Sequence, residues 1–194
     1  MAEVTSILLA GVGGQGIILA GKVIGQVAVL AGLDVKTSEI HGMAQRGGSV
    51  ITHVRFGPRV YSPVIDPGTA DLLLAFEKLE ALRNLGFLKS GGTVILNNQV
   101  IEPLPVLLGK QKYPEAVEAQ IAARFNLICL DALTEAAACG NPRAANVVLL
   151  GALAHRLPFP YPVWEEALAA VVPARYLDIN RRAFARGFAI AEKL

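Results

Sequence analysis

Cysteine is scarce: Cys129 and Cys139 are the only two in 194 residues. Ten positions apart and with no second pair, they supply neither a disulfide framework nor the four thiolates of an iron–sulfur cluster. Long apolar runs are missing too. No stretch reaches the roughly 18 to 20 uncharged residues that span a bilayer, and the start MAEVTSILLA has no basic segment ahead of its apolar residues. A cytoplasmic location is the expectation. Nor does one sign of charge dominate: 18 basic and 16 acidic residues are scattered along the chain, for a net charge of +2. No basic tract offers a nucleic-acid footprint.

Catalytic signatures are also absent. The sequence contains no G-x-S-x-G elbow, no H-E-x-x-H helix, no Walker A lysine motif and no Cys–His arrangement of recognisable spacing. Glu165 and Glu166 are adjacent on a predicted helix and so point in different directions. His53 and His155 are lone histidines in apolar settings, and neither is assigned a role. No self-sufficient active site is legible.

What is present is hydrophobic: 53% of residues are hydrophobic and only 18% charged. A chain of this size and composition can bury the core of one domain, taken as residues 1–194. Val4 to Ala10 is an apolar run that stops at a glycine cluster, and an apolar helical pattern follows from about Ile17 to Ala31. Gly32 is placed to cap that helix, and Leu33 to Ser38 resumes as a second strand, giving a βαβ unit. SVITHVRF, residues 49–56, alternates as a strand with two different faces. Gly57, Pro58 and Arg59 then precede Val60-Tyr61-Ser62, which predicts a hairpin and a mixed sheet.

Asp71 to Phe76 reads as a strand covered on both faces, followed by a helix to about Leu85. Thr93 to Leu96 and Leu127 to Leu130 read as two further buried strands. Between them, Pro114 predicts the first turn of a helix in PEAVEAQIAAR. Beyond Asp131 the strand signals end, and three or four helices are broken by Gly140-Asn141-Pro142, by Leu157 to Pro162 and by Pro173. The expected fold is α/β: a Rossmann-like three-layer α/β/α sandwich with a mixed sheet and a helical C-terminal third.

Two motifs carry functional information. Gly11-Val12-Gly13-Gly14-Gln15-Gly16 matches G-x-G-x-x-G between a predicted strand and a predicted helix. There, glycine lets backbone N–H groups approach an anion and the helix N-terminus favours phosphate. The same glycines could instead serve a tight turn and close helix–sheet packing, and the motif alone does not decide. A dinucleotide site also wants an acid near the end of the second strand. Asp34 comes too early, and Glu39 opens a second dense motif, EIHGMAQRGGS over 39–49, which a ribose contact does not require. In that loop Arg46 and the backbone of Gly47 and Gly48 could converge on a phosphate or carboxylate. His41 is a candidate acid or base by residue type. The other reading of the loop is structural, with Arg46 pairing a nearby acid.

The segments GVGGQGIILAGKVIG, SEIHGMAQRGGSVITHVRFG, VYSPVI and ADLLLAFEKLEALR occur in a characteristic order and spacing, and GNPRAANVVLLGALA follows from Gly140 to Ala154. Together they resemble the gamma-subunit family of 2-oxoacid (pyruvate):ferredoxin oxidoreductases, closest to the small, beta-type subunits of indolepyruvate enzymes. The resemblance is dense over 5–85 and most specific in HGMAQRGGS. It implies a subunit of an enzyme that decarboxylates an aryl pyruvate oxidatively with coenzyme A, giving an acyl-CoA and reduced ferredoxin. It also implies that thiamine diphosphate and the iron–sulfur clusters belong to a large partner subunit, through which ferredoxin is reached. Coenzyme A would be contacted at the subunit boundary by Gly11, Gly13, Gly14, Gln15, Gly16, His41, Arg46, Gly47 and Gly48. Two alternatives remain open at this point: a free-standing NAD(P)- or nucleotide-binding enzyme, and a stand-alone binding or regulatory module.

Overall fold

A computed structural model describes residues 4–42 and 48–193. Six strands form one mixed sheet: β1 (Thr5–Val12), β2 (Asp34–His41), β3 (Ser49–Gly57), β4 (Ala70–Ala75), β5 (Leu88–Asn97) and β6 (Asn126–Leu130). Their order across the sheet is β2-β3-β1-β4-β5-β6. β1, β4, β5 and β6 run parallel, while β3 is antiparallel to both β1 and β2. The expected βαβ unit is therefore split: β2 runs parallel to β1, but β3 lies between them.

The parallel strands read as continuous apolar runs because both of their faces are covered. Ile7, Leu9, Leu72, Leu74 and Ile95 face one layer, made by α1 (Ile17–Leu30), α6 (Ala145–Ala154), α7 (Tyr161–Val171) and α8 (Leu177–Ala191). Leu8, Ala10, Leu73, Val94 and Leu96 face the other, made chiefly by α2 (Lys78–Asn84) and α4 (Val117–Ala122). Short helices α3 (Leu104–Leu107) and α5 (Ala132–Ala138) complete the set. This is the three-layer α/β/α architecture expected, and the segments beyond Asp131 are helical as anticipated.

Helix α1 ends as its sequence dictates. Gly32 takes φ +73°, its N–H bonds Val29 O at 2.9 Å, and Leu33 N–H bonds Ala28 O at 2.9 Å. This pair of bonds is the Schellman closure that a left-handed glycine permits. In the helical layer, α6 crosses α8 where glycine faces backbone. A Cβ on Gly151 would lie 2.1 Å from Phe184 O, and one on Gly187 only 1.8 Å from Val148 O. Only glycine lets the two helices touch there.

Two local expectations are corrected. Val60-Tyr61-Ser62 is not a strand, and no hairpin forms after β3, whose two edges are already paired to β1 and β2. Side chains satisfy that loop instead. Val60 N–H donates to Asp34 Oδ2 at 2.8 Å, and Arg55 donates to Ser62 O at 3.0 Å and Val64 O at 3.1 Å. Pro114 does not sit in the first turn of a helix either. Ala116 adopts a left-handed φ of 51°, so α4 starts only at Val117.

Candidate functional site

The crevice lies at the carboxyl end of the parallel strands, where the chain leaves β1 for one helical layer and β4 for the other. Such a reversal opens a cleft in α/β sheets. β1 carries the first glycine motif into this cleft. Gly11 and Val12 still belong to the strand, Gly14 turns at φ +103°, and Gly16 caps α1 at φ +78° with no side-chain cap. Gly13 N–H donates to Gly48 O at 2.8 Å. That bond brings the two glycine motifs together, although they are far apart in sequence.

The glycines of the first motif do different things. A Cβ on Gly11 would lie 2.8 Å from Gln15 Oε1 and from Phe76 Cβ, so this glycine admits the Gln15 side chain. Gln15 turns inward: its Oε1 accepts from Val12 N–H at 2.7 Å, and its Nε2 donates to Phe76 O and Gln99 Oε1, both at 2.9 Å. Gly16 meets Asn146, whose Nδ2 donates to Gly16 O at 3.2 Å and would lie 2.4 Å from any Cβ there. The tight-turn role of Gly11 and Gly16 is thus visible in the packing. Gly13, Gly14 and Gly16 also border open space.

Two cavities flank the loop. The first, about 450 Å³, is lined by Gly13, Gly14, Gly16, Ile17, His41 and Val50. His41 stands exposed beside it, with Nδ1 3.3 Å from Gly42 O. The second, about 290 Å³, shares Gly14 and Gly16 and is bordered by Gln99, Arg143 and Asn146. Arg46 and Gly47, expected to contact an anion, lie outside the described residues. Among the described residues, no cluster of three or more His, Cys, Asp or Glu could hold a metal ion, and no helix is long and apolar enough to cross a membrane.

Sequence reading missed a buried acidic pair beside the second motif. Glu77 is 1% exposed and Glu80 2% exposed. Glu77 caps α2 through Glu80 N–H at 2.9 Å, and it also accepts from Ile101 N–H at 3.1 Å and from the Tyr113 hydroxyl. Burial, followed by that bond to Glu77, pushes the Tyr113 hydroxyl well above its ordinary pKa. Glu80 takes Arg83 at 2.6 Å and the Ser49 hydroxyl at 2.6 Å, pinning the end of the second motif to α2. The amides Asn97, Gln99 and Asn146 were missed as well. Their signal was faint: a polar Asn97-Asn98-Gln99 stretch closing a buried strand, and one asparagine opening a wholly apolar helix.

Residues 6–190 match the family model described as pyruvate ferredoxin/flavodoxin oxidoreductase. The chain belongs to this family. It is 40% identical over 195 residues to the indolepyruvate oxidoreductase subunit IorB of Pyrococcus horikoshii, covering 97% of this chain and 96% of that protein. The same subunit of Thermococcus kodakarensis is also 40% identical, with the same coverage. The keto/oxoacid ferredoxin oxidoreductase gamma subunit of Geobacter sulfurreducens superposes with a TM-score of 0.74 at 25% identity, over 98% of this chain and 99% of that one. A 2-oxoglutarate:ferredoxin oxidoreductase of Magnetococcus marinus, solved with 2-oxoglutarate, coenzyme A and succinyl-CoA bound, gives a TM-score of 0.77 at 25% identity. There the family domain is part of a longer chain: the match covers 99% of this chain but 32% of that one.

Proposed function

We propose that this chain is the small subunit of an indolepyruvate-type 2-oxoacid:ferredoxin oxidoreductase. The observation that carries the reading is the end-to-end correspondence with IorB subunits, 40% identity over nearly the full length of both proteins. In this reading the enzyme carries out coenzyme A-dependent oxidative decarboxylation with ferredoxin as acceptor. A large partner subunit holds thiamine diphosphate, which supplies the carbanion-stabilising chemistry, and the iron–sulfur clusters. This chain supplies the face on which the two glycine motifs meet, and the coenzyme lies against it at the subunit boundary.

The residues fit a coenzyme with a phosphate-bearing end. Gly14 and Gly16 bring backbone to the cavity surface at the start of α1, where partial positive charge favours an anion. Arg46 adds the charged donor, in the most specific segment of the resemblance. The free-standing dinucleotide reading loses support from the topology. β3 lies between β1 and β2, which moves Glu39 away from the glycine loop by one strand spacing, about 4.8 Å.

The test is co-expression with a thiamine diphosphate-type large subunit, followed by electron-acceptor reduction that requires both coenzyme A and indolepyruvate. Copurification with that activity supports the reading. A chain that never associates, yet binds NAD(H) at micromolar strength by calorimetry, would replace it with the dehydrogenase alternative.

A further inference from the structure

Residues 100–108 read VIEPLPVLL, with Glu102 as their single charge. The helix inside this apolar stretch, α3, has no buried residue. Leu104 is 66% exposed, Leu107 65%, and Leu108, just past the helix end, 58%. Elsewhere along the described sequence, large exposed apolar residues come singly or in twos. A helix this short draws its stability from what surrounds it. Here the side chains that would pack are turned outward, and a cluster of that kind marks a surface another molecule covers.

Backbone bonds hold the segment in shape without those side chains. Val106 and Leu107 N–H donate to Pro103 O at 2.9 and 3.1 Å. Gly109, at φ +68°, then turns the chain so that Lys110 and Gln111 N–H reach back to Pro105 O at 2.9 and 3.1 Å. Both ends of the segment are fastened to one buried carboxylate. Glu77 Oε1 accepts from Ile101 N–H at 3.1 Å and from the Tyr113 hydroxyl, which itself accepts from Leu79 N–H at 3.0 Å. Residues 101–113 therefore form an arm with joined ends, an Ω-loop, a class of surface loop that often carries function. An arm preformed in this way loses little conformational freedom when it docks.

Its position says what covers it. β1 and β5 both run parallel to β4, so the arm after β5 and the glycine loop after β1 leave the sheet at the same end. Only β4 separates the two strands, which puts them two spacings or roughly 10 Å apart. A groove of about 380 Å³ between the arm and α2 runs from Leu104 and Leu107 to Val12 and Ser49. The next residues along, Gly13 and Gly48, make the bond that joins the two glycine motifs. A protein lying over those motifs lies on the arm as well. In the Magnetococcus marinus protein the matching region is 32% of a longer chain, so other parts of an enzyme are tethered to it there. We infer that the 101–113 arm is a docking element for the large subunit. Leu104, Leu107 and Leu108 enter an apolar recess on that partner, and the exposed Lys110 and Lys112 meet acidic residues at its rim. The inference rests on the functional reading above, which supplies the partner.

The experiment measures the affinity of the full-length chain for a thiamine diphosphate-type large subunit, wild type against variants. Leu104→Glu combined with Leu107→Glu should weaken association at least about thirtyfold, as loss of a central anchor does. The urea midpoint of the variant chain alone should stay at the wild-type value, because neither side chain is buried. Tyr113→Phe releases one end of the arm but keeps its leucines. It should weaken association by a smaller factor and speed hydrogen exchange at the Leu107 and Lys110 amides. Lys110→Glu with Lys112→Glu should slow the association rate and reduce its salt dependence. Tyr61→Ser is the control: the loop after antiparallel β3 lies at the opposite end of the sheet, and this 81% exposed side chain should not affect association. A wild-type chain that never assembles with the large subunit removes the functional reading and the inference together. If the wild type assembles and the double leucine variant assembles equally well, the inference alone is overturned. Self-association of the chain through the leucines, or binding of the arm to anionic phospholipid vesicles, would also overturn it where assembly survives the leucine changes.

Discussion

Replacing Gly187 with alanine is the sharpest test of how the helical layer is packed. The added Cβ would lie 1.8 Å from Val148 O, 2.7 Å from its carbonyl carbon and 3.1 Å from its Cα, where ordinary contact begins near 3.4 Å. These are backbone atoms within a buried helix, so no rotamer change relieves the clash. α6 and α8 must move apart by about 1.5 Å at the crossing, and a gap of even 0.5 to 1 Å forfeits roughly a quarter to a half of each dispersion contact. Every residue of α6 from Asn146 to Ala154 is buried, so the loss extends along the seam. A destabilisation of about 3–5 kcal/mol is expected, above the ordinary range for overpacking because backbone rather than side chain is displaced. In urea this lowers the midpoint by about 1–2.5 M at a slope of ~2–3 kcal/mol per M. Gly25→Ala is the control: its nearest neighbour is Val35 Cγ2 at 4.0 Å, and helix propensity predicts a gain of up to ~1 kcal/mol. A Gly187→Ala unfolding free energy within about 1 kcal/mol of wild type, at the same slope, would refute the close-contact reading.

Two further outcomes are expected. His53 is buried, its Nδ1 accepts from Ile65 N–H at 3.1 Å, and burial lowers its pKa below the ordinary 6.5. The neutral ring is the one that fits, so its contribution is complete above about 6.5 and is lost as pH falls through the lower folded value. His53→Asn, which offers an oxygen in place of Nδ1, should flatten the fall in urea stability between pH 7 and pH 5 relative to wild type; equal slopes would contradict this. In the assembled enzyme, Arg46→Ala should leave assembly intact and reduce kcat/KM for coenzyme A or the oxoacid by about 1.5–3 kcal/mol, with lysine rescuing only in part. Loss of assembly would instead make Arg46 an interface residue.

Strands buried on both faces, such as Asp71 to Phe76, and the glycine-capped helix α1 were legible because their signals are local: an unbroken apolar run, a helical period, a left-handed stop. The place of β3 was not. Alternation shows that residues 49–56 form a strand with two unlike faces, but it does not name the strand's neighbours, and pairing to β1 and β2 is a choice between distant segments. The mistaken hairpin failed for a related reason: Arg55 and Asp34 satisfy the backbone that a second strand would have paired. At the site, the glycine loop was legible from its G-x-G-x-x-G spacing, whereas a shared place for the two motifs was implied only by the family resemblance. The amide network was hidden, because Gln15 reaches partners 61 and 84 residues away and nothing in either local sequence marks the match.

The split βαβ unit also sets a timetable. β1 is buried from Ser6 to Val12, yet its hydrogen-bonding edges are filled by β3, which pairs Phe56 with Thr5, and by β4, which pairs Leu72 with Ile7. At ~5–20 residues per second of synthesis, β1 waits roughly 3–13 s before the second of these partners has been made. During that interval an apolar strand with an unpaired edge is a template for pairing with other chains. Helix α1, closed by its own glycine stop, is the first element able to shield one face of β1 while its edges stay open.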